Sequence, residues 1–366
     1  MKIIVTLFVV LYWLQTPCYA VDITEEMSEQ LNIEEVQEAL PDVVKDMLSG
    51  YDWVTGDGTE GVLERIKDMA QNSAMNALNA VWKPAVQTLM ITVLCSMLMA
   101  FGNAHHISFP VIIAGSTAIV FLALADTQSF FHDSVQAVEQ LYDFSTVLLP
   151  CLAGAAAFTG ATVSAGVKYT AAALFMNLLL NFCNTFLIPI ITLYLICVIG
   201  NTVFEQQILS AVSNFIRWLC TSVLTGCVVV FTTYLSVSGL ISSAGDALAN
   251  RIAKTAISTS LPVVGNIISN TASTLVAGAS VLRNCIGVLG MLSVLGIMVV
   301  PFISMGIRYL LFKGVGELAE LFPNHRFSGL IKGIAGAFGM LIAVLGTGFI
   351  MIFMTLISFM NMAGTV

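Results

Sequence analysis

Charged residues are scarce in this chain of 366 residues. Asp, Glu, Lys and Arg make up 10% of it, whereas hydrophobic residues make up 57% and the mean hydropathy is +0.91. A soluble core of this size does not need so few charges, so the composition argues against an ordinary soluble domain. Several apolar runs of 18 or more residues instead predict an all-α polytopic membrane protein, because such a helix can cross ~30 Å of hydrocarbon.

Recognisable catalytic and metal-binding motifs are also missing. The sequence has no Walker loop, no zinc-binding helix motif and no nucleophile elbow. His105 and His106 form a pair, but no Cys or carboxylate is close enough in sequence to complete a metal site, so we expect a surface turn there. We therefore predict no enzymatic activity, no catalytic residue, no metal and no cofactor.

Acidic residues are absent from every apolar run that could span a membrane. Of the 22 Asp and Glu residues, 14 lie between residues 21 and 82. The acidity therefore belongs to one segment, and it argues against nucleic-acid binding. A proton-coupled relay of the usual kind needs carboxylates inside the spans, so a stand-alone secondary transporter is the weakest of the functional alternatives.

The N-terminal region has the pattern of an exported protein. Lys2 precedes an apolar run of twelve residues, and Ala20 ends a small-x-small site, which predicts a signal peptide over residues 1–20. Residues 21–82 would then form a small acidic, helical segment outside the cytoplasm. The apolar stripe that begins at Val62 either packs on neighbouring helices or docks on a partner.

The eight cysteines do not form a disulfide framework. Cys18 falls within the signal peptide, and the other seven lie in or beside apolar spans, with none in residues 21–82. We predict that these seven are small buried hydrophobic residues.

Eight membrane spans are predicted after the exported segment, and the first two form a transmembrane hairpin within residues 83–125. The spans cover residues 84–102, 108–125, 147–165, 170–199, 219–241, 261–282, 285–307 and 336–360. Four amphipathic stretches between them are predicted to lie in the membrane interface. These stretches cover residues 126–146, 201–218, 242–258 and 308–333.

The span over residues 261–282 has an alternative interpretation: it is rich in Ser, Thr and Asn, and such a segment can enter and leave on one side. Counting Lys and Arg on each side favours a full crossing, since most positive charges then face the cytoplasm. This count places the C-terminus outside.

An internal repeat appears when the chain is shifted by 112 positions. Pro150 then aligns with Pro262 and Pro189 with Pro301, and nine of 43 positions are identical without a gap. The predicted copies are residues 126–245 and 246–366. Each holds three spans, so two tandem copies would cross the membrane in opposite senses, as inverted repeats do.

Polar residues and helix breakers in the two copies mark a candidate pathway. Asn177, Asn181 and Asn184 share one helix face, and such a stripe avoids lipid by facing either water or another helix. Both alternatives, a conducting pathway and hydrogen bonds that hold neighbouring helices together, remain open. The candidate residues are Pro150, Thr162, Gly166, Asn177, Asn181, Asn184, Pro189, Pro262, Asn266, Asn270, Thr274, Gly278 and Pro301.

The run "RIAKTAISTSLPVVGNIISNTASTLVAGASVLRNCIGVLGML" and the later "VPFISMGIRYL" resemble the stage III sporulation protein AE family of endospore-forming bacteria. The resemblance covers about residues 84–364. It implies a membrane protein made in the mother cell and placed in the outer forespore membrane. It also implies membership of a transenvelope "feeding tube" complex that supports late forespore gene expression.

The resemblance also implies partners, namely a cytoplasmic secretion-type ATPase and ring-forming subunits of the complex. It supplies no catalytic residues. The functional alternatives are a channel or permease-like subunit, a non-conducting membrane scaffold and a stand-alone secondary transporter.

Overall fold

The computed structural model describes residues 33–50, 58–101, 105–124, 127–260, 265–322 and 325–361. Within these ranges the chain is helical, without strands. The helices are α1 (Ile33–Glu38), α2 (Asp42–Met47), α3 (Thr59–Phe101), α4 (His105–Leu124), α5 (Thr127–Phe158), α6 (Thr162–Phe182), α7 (Ile188–Phe204), α8 (Gln207–Ser260), α9 (Gly265–Ala319) and α10 (His325–Met360). A π-helical turn, Cys183–Leu187, joins α6 to α7.

Six helical stretches in the described part are long and apolar enough to cross a membrane. They are Thr59–Ala100, Asp133–Phe158, Thr162–Phe204, Gln207–Ser238, Gly278–Ala319 and His325–Met360. A shorter apolar helix covers Phe109–Ala123. The predicted all-α, multi-pass architecture is therefore confirmed in outline, whereas the predicted count of eight spans is not reproduced.

One predicted pair of spans is a single helix. Residues 265–282 and 285–307 both belong to α9, which continues through the predicted link at residues 283–284. Arg283 in that link is buried, with 4% of its surface exposed. It donates a hydrogen bond to the carbonyl of Met360, at the end of α10. A polar residue that finds partners inside the bundle does not require a loop, which is why the predicted break is wrong.

The amphipathic stretches do not form separate interfacial helices. Residues 127–146 are the first part of α5, and residues 242–258 are the last part of α8. Val138 and Leu141 of α5 are fully buried, so the apolar face of this stretch packs on the protein itself. Residues 201–218 and 308–333 instead contain the turns that join α7 to α8 and α9 to α10.

The bundle is centred on α9 and α10. In their most apolar windows 61% and 56% of the residues are buried, compared with 22% in α3 and in α8. Gly290 of α9 allows close packing, because a Cβ there would lie 2.7 Å from Leu148 and 3.2 Å from Leu356. The described interior is filled with apolar side chains.

The helices before α3 also pack on the bundle. Val44 and Met47 of α2 are buried and lie against Gly296 in the middle of α9. Val62 is buried, and the rest of its apolar stripe packs against the same core. This agrees with the interpretation of the stripe as a packed face.

Most cysteines are small buried residues, as predicted. Cys95, Cys151, Cys183, Cys197 and Cys220 are buried free thiols, and Cys227 is a half-buried one. Cys285 departs from the prediction, since it is disulfide-bonded.

The turns after α7 and after α9 lie at one end of the bundle, which we call the turn end (residues 201–206, 320–322 and 325–326). Arg326 donates to Glu205 across this end, with Nε and Oε1 2.5 Å apart. Inverted copies would place the two turns on opposite sides of the membrane, so the predicted inversion is not reproduced. Two long helices, α8 and α9, lie between the turns, where the sequence predicted three spans.

Candidate functional site

The candidate pathway residues on α6 and α7 face outwards. Thr162, Gly166, Asn177, Asn181 and Pro189 are all exposed on the surface of the bundle. Pro150 is also exposed, inside the continuous helix α5 rather than at the start of a span. These residues of the first copy are therefore exposed on the surface of the chain.

Fewer candidate residues of the second copy (residues 246–366) have described side chains. Gly278 is buried and Pro301 is half-buried within α9, which continues past both. Pro262 lies outside the described residues. Asn266, Asn270 and Thr274 belong to α9 and Asn184 to the π-helical turn, but their side chains lie outside the described part. The pathway role of the whole set stays a prediction.

The two described asparagines form a polar patch on an apolar surface. The Asn181 amide donates from Nδ2 to Oδ1 of Asn177 at 2.6 Å and to the Asn177 carbonyl at 3.1 Å. An open groove of about 420 Å³ runs beside them, bounded by Tyr169, Thr170 and Leu174 among others. We call Asn177, Asn181 and this groove the amide face.

The amide face leads into the π-helical turn. Pro189 has no N–H to donate to the carbonyl of Thr185, four residues earlier, so the regular hydrogen-bond ladder is interrupted there. The backbone accommodates the missing bond by widening over Cys183–Leu187. The predicted interruption at Pro189 thus takes the form of a local widening, and the apolar span continues through it.

A buried charged cluster lies at the opposite end of the bundle from the turns. Asp246 of α8 is 4% exposed and accepts hydrogen bonds from the backbone N–H groups of Val163 at 2.8 Å and Ser164 at 3.1 Å. These are two of the free N–H groups that begin α6, so Asp246 caps this helix from a distant part of the chain. The positive end of the helix dipole further favours the carboxylate.

Two buried cations hold the last turn of α10 in the same cluster. Lys168 donates to the carbonyl of Ser358 at 2.6 Å, and Arg283 donates to the carbonyl of Met360 at 3.4 Å. Asp246 and Arg283 are both close enough to act on the charge of Lys168. We call Lys168, Asp246 and Arg283 the charged cluster. It joins the start of α6, the end of α10 and the last part of α8 to α9.

Sequence reasoning missed the charged cluster, although a signal was present. Asp246 is the only acidic residue between Glu205 and Glu317, and Lys168 is the only Lys or Arg between Lys83 and Arg217. Isolated charges in so apolar a chain are costly unless they are paired. This isolation could have identified Asp246 and Lys168 as candidate functional residues. It could not have identified their hydrogen-bond partners, which lie more than 80 positions away in the sequence.

A second cavity, of about 410 Å³, lies at the turn end between α7, α8 and α10. Its rim carries ion pairs: Arg326 with Glu205, and Lys332 with Glu317 at 2.8 Å and Glu320 at 2.5 Å. The hydrogen bond from Lys332 keeps the pKa of Glu320 below its ordinary value. The lining of the cavity includes Arg217, His325 and neutral polar residues, together with Glu205, Arg326 and Lys332 of these ion pairs.

Comparison with known proteins gives one family. The sequence profile described as stage III sporulation protein AE matches residues 44–363. The chain is 25% identical over 219 residues to a Bacillus subtilis (strain 168) protein named stage III sporulation protein AE. That alignment covers 59% of this chain and 55% of the relative, so the chain spans about half the length of the curated relative it matches. No solved structure matches the chain.

Proposed function

This chain belongs to the stage III sporulation protein AE family, and from that premise we propose that it is a channel or permease-like subunit of a transenvelope sporulation complex. Its apolar helices mark it as a multi-pass membrane protein. In this proposal the pathway does not run through the middle of one chain. It runs along the amide face, between this chain and neighbouring subunits.

The observation that carries the proposal is the outward position of Asn177 and Asn181. Both are exposed on α6, within the apolar stretch Thr162–Phe204. Primary amides facing lipid would leave donors and acceptors without partners, which costs free energy in hydrocarbon. A neighbouring subunit or a water-filled pathway between subunits removes that cost.

The closed interior supports a pathway between subunits. Buried apolar residues of α5, α6, α9 and α10 fill the centre of the bundle. A passage through the centre would require separating helices whose glycines touch their neighbours, as Gly333 touches Val198 and Gly290 touches Leu148. A conducting route outside this core leaves the packing intact.

The placement in the cell follows the family resemblance. We propose that the protein lies in the outer forespore membrane, with residues 21–82 outside the cytoplasm, and that it works with a cytoplasmic ATPase and ring-forming subunits. Two further proposals concern the chain itself: residues 1–20 act as a signal peptide, and residues 126–245 and 246–366 derive from a duplication. The hairpins α7–α8 and α9–α10, each joined by a short turn, support the second of these.

Cysteine labelling tests the amide face. Asn177→Cys and Asn181→Cys are expected to react with a membrane-impermeant thiol reagent in vesicles, because the reactive thiolate forms only in contact with water. Leu193→Cys is the matched control: this α7 residue is 50% exposed on an apolar surface. Labelling at 177 and 181 should be on the order of ten-fold faster than at 193.

Equal, slow labelling at all three positions would contradict a wet pathway at the amide face. Cross-linking between copies or to a partner at position 177, without labelling, would then support the second candidate, a non-conducting scaffold. Ion or solute flux through the purified protein in liposomes separates the two functions.

A stand-alone secondary transporter has less support. The buried carboxylate in the described part of the bundle, Asp246, is held by two backbone N–H groups of α6. A carboxylate fixed in this way serves as a helix cap and is poorly placed to accept and release a coupling proton.

A further inference from the structure

We propose that the turn-end cavity binds the phosphodiester headgroup of an anionic phospholipid, with the acyl chains lying along the outer surface of α8. This site is separate from the amide face. It does not depend on whether the protein conducts.

The cavity has the polar groups that a phosphate needs. Tyr194, Asn201 and Asn214 supply neutral donors around a volume of about 410 Å³. Gly329 leaves its α10 wall open, because a Cβ at this position would meet no atom within 4 Å. The site therefore has both space and hydrogen-bond donors on several sides.

The charge of the cavity suits a monoanion. The ion pairs with Glu205, Glu317 and Glu320 engage Arg326 and Lys332. Among the described residues, no carboxylate forms an ion pair with Arg217 or His325. Of the Lys and Arg residues that line the cavity, Arg217 is then the one that no described carboxylate pairs with. A lipid phosphodiester carries a single negative charge, whereas a phosphate monoester carries about −1.5 to −2 at neutral pH, so the diester is the better match.

The surroundings of the cavity suit a lipid rather than a free phosphate. Phe215 and Trp218 stand on α8 beside Asn214 and Arg217, with their ring centroids 5.9 Å apart. Their side chains are 57% and 61% exposed, and Ile208 on the same helix is 72% exposed. Trp favours the membrane interface, and basic pockets between membrane helices bind lipid headgroups. An acyl chain would cover these exposed rings while its headgroup occupies the cavity.

Fluorescence quenching tests the site, because Trp218 lies beside it. The full chain carries three other tryptophans, Trp13, Trp53 and Trp82, which are replaced by Phe so that the signal comes from Trp218. Brominated phosphatidylglycerol is then exchanged against brominated phosphatidylcholine in detergent micelles. We expect a preference for phosphatidylglycerol on the order of five-fold, the effect of about one cation at a membrane surface.

Arg217→Gln should abolish this preference, whereas Lys313→Gln should leave it unchanged. Lys313 is an exposed cation of α9 outside the cavity, placed over the ring of Tyr309. Gly329→Leu fills the cavity without removing a charge, and it also should abolish the preference. Because Leu is a better helix former than Gly, this variant keeps the test valid if Arg217→Gln does not fold.

Two results would overturn the proposal. One is an equal affinity for the two lipids, or a preference that survives both Arg217→Gln and Gly329→Leu. The other is full competition by millimolar glycerol phosphate or inorganic phosphate, which would identify a soluble phosphate as the ligand.

Discussion

Replacing Asp246 by Asn is expected to lower the free energy of unfolding by about 3 kcal/mol, because the backbone N–H groups of α6 lose a charged acceptor and a compensating buried charge is removed from near Lys168. The substitution removes the negative charge that faces the start of α6 and that acts on buried Lys168. It also places an amide donor where two backbone N–H groups need an acceptor. Thermal or denaturant unfolding of the purified chain in detergent, followed by the loss of helical circular dichroism, measures the effect.

Asp143→Asn is the matched control for this substitution. Asp143 is an exposed acidic residue of α5, and its loss should change stability by no more than about 0.5 kcal/mol. A loss at Asp246 no larger than at Asp143 would mean that the carboxylate does not hold the helix ends together.

A double substitution separates two effects of Asp246, its interaction with the charge of Lys168 and its capping of α6. Removing Lys168 as well, as in Asp246→Asn with Lys168→Met, takes away the buried cation that the first change leaves uncompensated. The loss in the double variant should be smaller than the sum of the two single losses, because the two charges interact. Additive losses would show that Asp246 acts only as a cap on Val163 and Ser164.

The helices of this fold could be predicted from the sequence because apolar runs in a membrane have few alternatives to helix. The positions at which the apolar runs are divided into separate helices could not be predicted. Arg283 and Asn284 look like a loop between two spans, yet α9 continues through them, because Arg283 reaches Met360 on another helix. That partner is 77 residues away, and local polarity carries no information about it.

The amide face shows a similar limit of prediction from sequence. The spacing of Asn177 and Asn181 correctly placed both on one side of a helix, and their hydrogen bond follows from that spacing. Periodicity does not say which neighbour a face meets. Here the opposite face of α6, with Met176 and Leu179, supplies the buried contacts, and the amides are left outside.

The same-end placement of the two turns leads to a clear prediction. Glu205→Cys combined with Arg326→Cys should be joined almost completely by a short bifunctional maleimide, because these side chains are in direct contact. Glu205→Cys with Ser358→Cys is the control pair, since Ser358 lies with Lys168 at the opposite end of the bundle. This pair should not be joined within one chain.

Reporter fusions in cells test the same arrangement across the membrane. Fusions ending at residues 206 and 322 are expected to report one compartment, because two crossings, α8 and α9, separate these positions. Inverted copies require an odd number of crossings between them, and hence opposite compartments. Opposite compartments together with a failure of the 205–326 cross-link would mean that α9 is divided in the membrane. The polar run after Pro262 would then be a span of its own, and the duplicated halves would again face in opposite directions.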